Sequence, residues 1–354
     1  MIYFIFILCM LLFANFRFQP KGMEETYINK YECNVIKGVF IALVFFSHFR
    51  GYVQLNNPLD MPYVSIQRYL GQFIVAMFLF YSGYGIMVSL LKKGGVYLNS
   101  IPFHRMLRTL LHFDLAVLVY LTIYIGIHGK LPEVSRIFSS FLAWGSIGNS
   151  NWYIFAILVL WTVTFLGFKI CGICHTKRSL FATLILTIIS SLVIMHFRHP
   201  EHWWYDTMIC YPLGMYYAVY RSKIEKVLFS YPGRDYFYWG VLALLIIAIA
   251  LLGKHKGNYI LYEAWMLVMT LLVVQITMKF QFNSKILSWM GEHLFEIYIL
   301  MRIPMILFQP YFKGHNYWYL IACMAAVWVL TLLFTKFLKI FDDKIFISEK
   351  LSEK

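Results

Sequence analysis

The chain has 354 residues, of which 60% are hydrophobic and 14% charged, against about 25% charged in a soluble domain. This composition excludes an ordinary soluble enzyme and predicts an all-α protein, a polytopic integral membrane helical bundle. The formal net charge of +14 raises the question of nucleic acid, but the basic residues sort by loop, and no nucleic-acid partner is expected.

Apolar runs predict eleven spans, at 1–16, 35–54, 72–91, 107–128, 151–171, 179–195, 203–220, 236–252, 258–278, 286–308 and 316–338. No loop between them exceeds about 25 residues, so no soluble catalytic domain is expected. The chain divides into an extra N-terminal transmembrane helix with a cytoplasmic linker (1–30), a core of about ten transmembrane helices (31–340) and a cytoplasmic tail (341–354). The opening MIYFIFILCMLLFANF lacks a basic start and a small-residue cleavage site, so it reads as a retained helix rather than a signal peptide.

The second span, NVIKGVFIALVFFSHFRGY, carries Lys37 and His48. Eleven steps of about 100° close to within about 20° of three turns, so both side chains share one face, about 16 Å apart along the axis. A span starting at 35 puts Lys37 near one membrane surface and His48 about halfway across a hydrocarbon core of about 30 Å. An ionisable group at that depth reads as functional; the competing reading is a histidine satisfied by a neighbouring carbonyl. A neutral imidazole there can act as a general base.

In the third span, FLFYSGYGI places Ser82-Gly83, which permits close helix approach, beside the Tyr84 hydroxyl. Arg105 and Arg108 follow a Gly-Gly pair and Pro102. Their i, i+3 spacing lets two guanidinium forks converge on a phosphate, with Lys37 as a third cation at that surface. Asp114, a few residues into the next span, could pair with an Arg or His, though sequence alone does not assign a partner. The outer stretch 129–150 leads into NSNWYIF, where Asn149, Ser150 or Asn151 can cap the following helix. Trp152 and Tyr153 offer aromatic faces there, as an interfacial belt or as sugar contacts. Cys171-Gly-Ile-Cys174-His175 spells a haem-attachment pattern at the cytoplasmic end of a span, but no second ligand pair follows, and no metal is expected. Asp206, Glu263, Glu292 and Glu296 add acids in or near spans, and Arg302 lies inside the same span as Glu296.

About seven in ten of the 31 Lys and Arg fall in alternate loops, beginning with 17–34. By the positive-inside rule those loops are cytoplasmic, so the N-terminus is outside, the C-terminus is inside, and the protein is a multi-pass protein of the cell membrane.

Taken in order, Lys37-x10-His48, the Ser82-Gly83-Tyr84 tract, Arg105-x-x-Arg108, NWYI at 151–154, YPLGMYYAVYRSKIE at 211–225 and GEHLFEIYIL at 291–300 resemble acyltransferase family 3. This is the family of bacterial membrane-bound sugar O-acetyltransferases, and the resemblance covers about residues 31–340. The chain departs from it where Met301 and Arg302 stand at the place of a frequent histidine, and it lacks the esterase-like domain that some members append. The resemblance implies transfer of an acyl group, usually acetyl, from cytoplasmic acyl-coenzyme A to a hydroxyl of a cell-surface or lipid-linked glycan, such as a capsule or exopolysaccharide. Acetyl-coenzyme A is then a donor substrate, with no permanently bound cofactor, and the oligomeric state stays open. On this reading Lys37, Arg105 and Arg108 hold the coenzyme's phosphates, the pantetheine arm threads inward, and His48 is the catalytic base or a transient acyl carrier. Ser82, Tyr84, Asp114 and Glu296 are supporting residues, and Trp152 and Tyr153 contact the acceptor. The rival reading is a lipid-linked sugar flippase or transporter, with His48 and the buried acids as a proton or substrate path. It predicts two matching halves with broken helices, which the sequence does not display.

Overall fold

The computed structural model describes residues 2–229 and 234–346, and they form an almost wholly helical bundle. The segment α1 (Ile2–Phe13) is followed by a three-residue strand β1 (Phe16–Phe18) and then α2 (Lys30–Arg50). A short α3 (Met61–Leu70) leads to α4 (Phe73–Ser100), which runs through a π-helical turn at 101–107 into α5 (Arg108–His128). After α6 (Val134–Phe141) come α7 (Trp152–Cys171), α8 (Thr176–Arg198), α9 (Cys210–Phe229), α10 (Arg234–Leu252) and α11 (Tyr259–Thr277). Strand β2 (Phe280–Phe282) precedes three short segments, α12 (Lys285–Glu292), α13 (Leu294–Leu300) and α14 (Arg302–Phe308), and α15 (Asn316–Ile345) closes the bundle.

Seven helical stretches are long and apolar enough to cross a membrane, one of them the 56-residue run Phe73–His128, which holds two crossings. With α9 and the broken α12–α14 segment, they supply the core helices that the hydropathy predicts. Gly94, at φ 57°, bends the long run between its two crossings, a backbone conformation that a side chain disfavours. The tail expected at 341–354 is partly helical, since α15 reaches Ile345; its last residues lie outside the described ones.

The extra N-terminal helix is shorter than expected. At 12 residues α1 is about 18 Å long, less than a hydrocarbon core. It packs on the bundle: Phe4 meets Phe46 and Tyr317, and Phe13 meets Phe282. The linker after it is docked as well. Strand β1 pairs antiparallel with β2, Phe16 opposite Phe282 and Phe18 opposite Phe280. The fully buried Lys279 amine donates to Asp235 Oδ1 at 2.7 Å and to the Pro20 carbonyl at 3.2 Å. Tyr27 OH lies 2.7 Å from Tyr217 OH and donates to Glu225 at 2.9 Å.

Two helix pairs are joined by reciprocal glycine contacts. A Cβ on Gly38 of α2 would lie 2.0 Å from the Leu287 carbonyl oxygen, and one on Gly291 of α12 would lie 1.9 Å from the Asn34 carbonyl oxygen. Gly83 of α4 and Gly214 of α9 repeat the arrangement, at 2.0 Å from Tyr211 O and 2.0 Å from Phe80 O. Such contacts let two backbones touch, which is how small residues drive helix association in lipid, where burial against tails gains little. They fix α2, with Lys37 and His48, against the broken segment that carries Arg302.

Candidate active site

Helix α2 begins earlier than hydropathy suggests because Asn29 caps it, its side chain accepting from the Glu32 amide at 2.8 Å. The helix ends at Arg50. His48 is therefore not at mid-helix but in the last turn, about 27 Å from the start, and Lys37 lies about 10 Å in. The 16 Å separation stands, while both groups shift along the axis.

His48 lines a cavity of about 290 Å³ at this end of the bundle. Ser47 comes with it from α2, Gln72 from the start of α4, Ser150, Asn151 and Trp152 from the turn before α7, and Tyr298 and Arg302 from α13 and α14. The His48 and Tyr298 rings are 6.4 Å apart between centroids. Arg302 donates from Nε to Tyr52 OH at 3.0 Å and from Nη1 to the Asn149 carbonyl at 3.4 Å, and it makes no ion pair with a carboxylate among the described residues. Several donors here are unspent. The Ser150 hydroxyl and the Asn149 side-chain nitrogen are buried with no hydrogen bond, and the Tyr298 hydroxyl makes no well-formed one although the Tyr153 backbone is near. Buried polar groups are normally satisfied, so a cluster left unmade marks a place built for something else.

The turn that presents Ser150 is wired internally. Ser146 Oγ donates to the Asn149 carbonyl at 2.7 Å, and the Ile147 amide donates to Asn149 Oδ1 at 3.0 Å. Asn151 Nδ2 donates to the carbonyls of Ala143 and Gly145 at 3.1 and 2.7 Å. Asn151 thus occupies the capping position of α7 without capping it by its side chain. Its amide holds the turn, which aims Ser150 and Trp152 at His48.

At the opposite end of these helices a second cavity, of about 630 Å³, is lined by Arg105, Arg108, His112, Glu296, Lys339 and Asp342, with His104 and Asp343. Asp342 accepts from Arg108 Nε at 3.0 Å and from its Nη2, and lies 2.7 Å from His112 Nε2. Arg105 leans over the Tyr97 ring at 5.8 Å. Arg105 and Arg108 line this one cavity, but Lys37 does not. Carboxylates stand among the cations, which the sequence spacing does not reveal because Asp342 is 234 residues from Arg108.

The supporting residues fall elsewhere. Ser82 accepts from Trp161 Nε1 at 3.4 Å, and Tyr84 OH accepts from Arg221 at 3.3 Å; neither lines the His48 cavity, and the tract's main work is the Gly83 contact. Asp114 has a buried carboxylate oxygen without a hydrogen bond, so no Arg or His pairs with that oxygen among the described residues. Glu296 faces His293 at 4.0 Å and the basic cavity, not Arg302. Of the aromatic pair, Trp152 reaches the cavity while Tyr153 backs it, packed between Phe78 and Tyr298. In the sequence Arg302 stands out as a charge inside a span and as a departure from the family's frequent histidine, and Ser150 only as a candidate helix cap.

A helical membrane bundle with a histidine cavity at one end and an arginine cavity at the other defines a polytopic membrane protein with chemistry inside its helices. The family model for an acyltransferase domain matches residues 30–336, and the chain belongs to acyltransferase family 3. It is a membrane acyltransferase. No curated protein and no solved structure matches it.

Proposed function

We propose that the protein transfers an acetyl group from acetyl-coenzyme A to a hydroxyl of a cell-surface or lipid-linked glycan, with the arginine end cytoplasmic and His48 facing the acceptor side. The observation that carries this reading is that the two cavities meet on opposite faces of α13: Glu296 lines the basic one and Tyr298 the histidine one. Two residues of helix are about 3 Å of rise and about 200° of turn, so α13 is a thin partition between them.

Arg105 and Lys339 supply charge for the coenzyme's phosphates, and Asp342 holds Arg108 and His112 in place beside them. The pantetheine arm passes the partition and brings the thioester to His48. The imidazole takes the proton of the acceptor hydroxyl as its oxygen attacks the carbonyl carbon, and Trp152 gives the sugar an apolar face.

The test uses membrane vesicles from cells that make the protein, which contain the native acceptor, with radiolabelled acetyl-coenzyme A and base-labile label as the readout. His48→Ala should abolish incorporation, by at least about a hundredfold for loss of a general base, at unchanged protein level. Incorporation that survives this change overturns the mechanism.

A further inference from the structure

We propose that Arg302, with the Ser150 and Tyr298 hydroxyls, forms the oxyanion hole of the transfer reaction. This rests on the acyl-transfer reading and adds catalytic residues to it. All three groups line the His48 cavity. Ser150 is 2% exposed and Tyr298 2% exposed, and both hydroxyls lie buried without a well-formed partner. Arg302 is held through Nε by Tyr52 and through Nη1 by the Asn149 carbonyl, and its Nη2 makes no hydrogen bond among the described residues. With no carboxylate paired to it among the described residues, this half-buried guanidinium keeps its charge beside His48, where a preorganised donor stabilises a developing oxyanion.

The cavity's size favours the reacting ends of two substrates over a whole bound anion. At about 290 Å³ it is at the bottom of the range for a complete ligand, about 300–1,000 Å³. Negative charge has to appear there during the reaction. The acceptor oxygen bonds to the thioester carbon, its proton goes to His48, and the carbonyl π pair moves onto oxygen. Arg302 and the two hydroxyls receive that oxygen. When the carbonyl re-forms, the carbon–sulfur bond breaks, the coenzyme A sulfur takes the proton back from His48, and the products are an ester and free thiol.

The vesicle assay, run as initial rates against acetyl-coenzyme A concentration and normalised to protein level, separates the roles. Arg302→Gln should lower kcat about 100–1,000-fold, the effect of losing an oxyanion donor, with KM changed less than about twofold, and Arg302→Lys should recover part of the rate. Ser150→Ala and Tyr298→Phe should each lower kcat about tenfold, and they carry the test if Arg302→Gln fails to accumulate. An unchanged kcat in these variants overturns the proposal, as does a raised KM at unchanged kcat, which would make Arg302 a substrate-anion anchor. His48→Ala run alongside tells the failures apart: full activity there removes the acyl-transfer mechanism itself, whereas its loss beside an intact Arg302→Gln removes only the oxyanion hole.

Discussion

Gly83→Ala should loosen the bundle without touching either cavity. The added Cβ would stand 2.0 Å from the Tyr211 carbonyl oxygen and 2.9 Å from the carbonyl carbon, both backbone atoms of α9. Relief needs a retreat of about 1.4 Å to reach ordinary contact, and a gap of 0.5–1 Å already forfeits about a quarter to a half of each dispersion contact. Because helix backbone cannot rotate away as a side chain does, the cost belongs at the upper end of overpacking, about 3 kcal/mol. For a chain of 354 residues that corresponds to a melting temperature lower by roughly 4 °C, read on detergent-solubilised protein by intrinsic tryptophan fluorescence. Gly214→Ala attacks the same crossing from the other helix, at 2.0 Å from Phe80 O. Once the helices part, the second alanine meets less resistance, so the double variant should lose clearly less than the sum of the singles. A Gly83→Ala protein that melts within about 1 °C of the parent would refute the close-approach account. Strict additivity would refute the shared crossing.

Arg105→Ala should raise KM for acetyl-coenzyme A about tenfold while sparing kcat, in the vesicle assay; an unchanged KM places the donor's phosphates elsewhere. Tyr84→Phe removes one 3.3 Å hydrogen bond from Arg221, far from His48, and should leave kcat within about twofold, so a large kcat loss would return Tyr84 to the chemistry. Lys256, in the loop before α11, sits over Trp265 at 3.6 Å and Tyr69 at 4.1 Å, and burial lowers its amine from 10.5 to about 8. Its folded-state value lies below the unfolded one, so its relative stabilisation is complete above about pH 10.5 and is lost as pH falls through about 8. Melting curves across that window should rise with pH more steeply for the parent than for Lys256→Met, and parallel slopes would discount the burial of the amine.

The bundle was legible because apolar runs and loop charges report the same boundaries, and both depend only on local sequence. What escaped depends on distant pairing or on caps. Helix α2 starts five residues before its apolar run because the Asn29 side chain caps it through the Glu32 amide, and polar capping residues look like linker in a hydropathy profile. His48 therefore stands in the last turn of its helix rather than near the middle. Arg105 and Arg108 were found by their spacing, while Asp342, which holds one of them, comes from the far end of the chain. Lys37 is on the right helix face for His48 but not in the arginine cavity, since sharing a membrane surface is a weaker condition than sharing a pocket. The histidine cavity was the least legible part: Ser150 lies in a turn shaped by Asn149 and Asn151, and Arg302 is set by the break in α12–α14.

The paired contacts of Gly38 and Gly291 also fix how closely α2 can lie against α12. Gly38 meets Leu287 while Gly291 meets Asn34, so the two backbones pass each other in opposite directions along this stretch. His48 lies ten residues beyond Gly38 on the same continuous helix, about 15 Å away. A methyl group added at position 38 would push α2 off its partner, and because the helix is continuous to Arg50 that displacement would reach His48, in a cavity that Gly38 itself does not line.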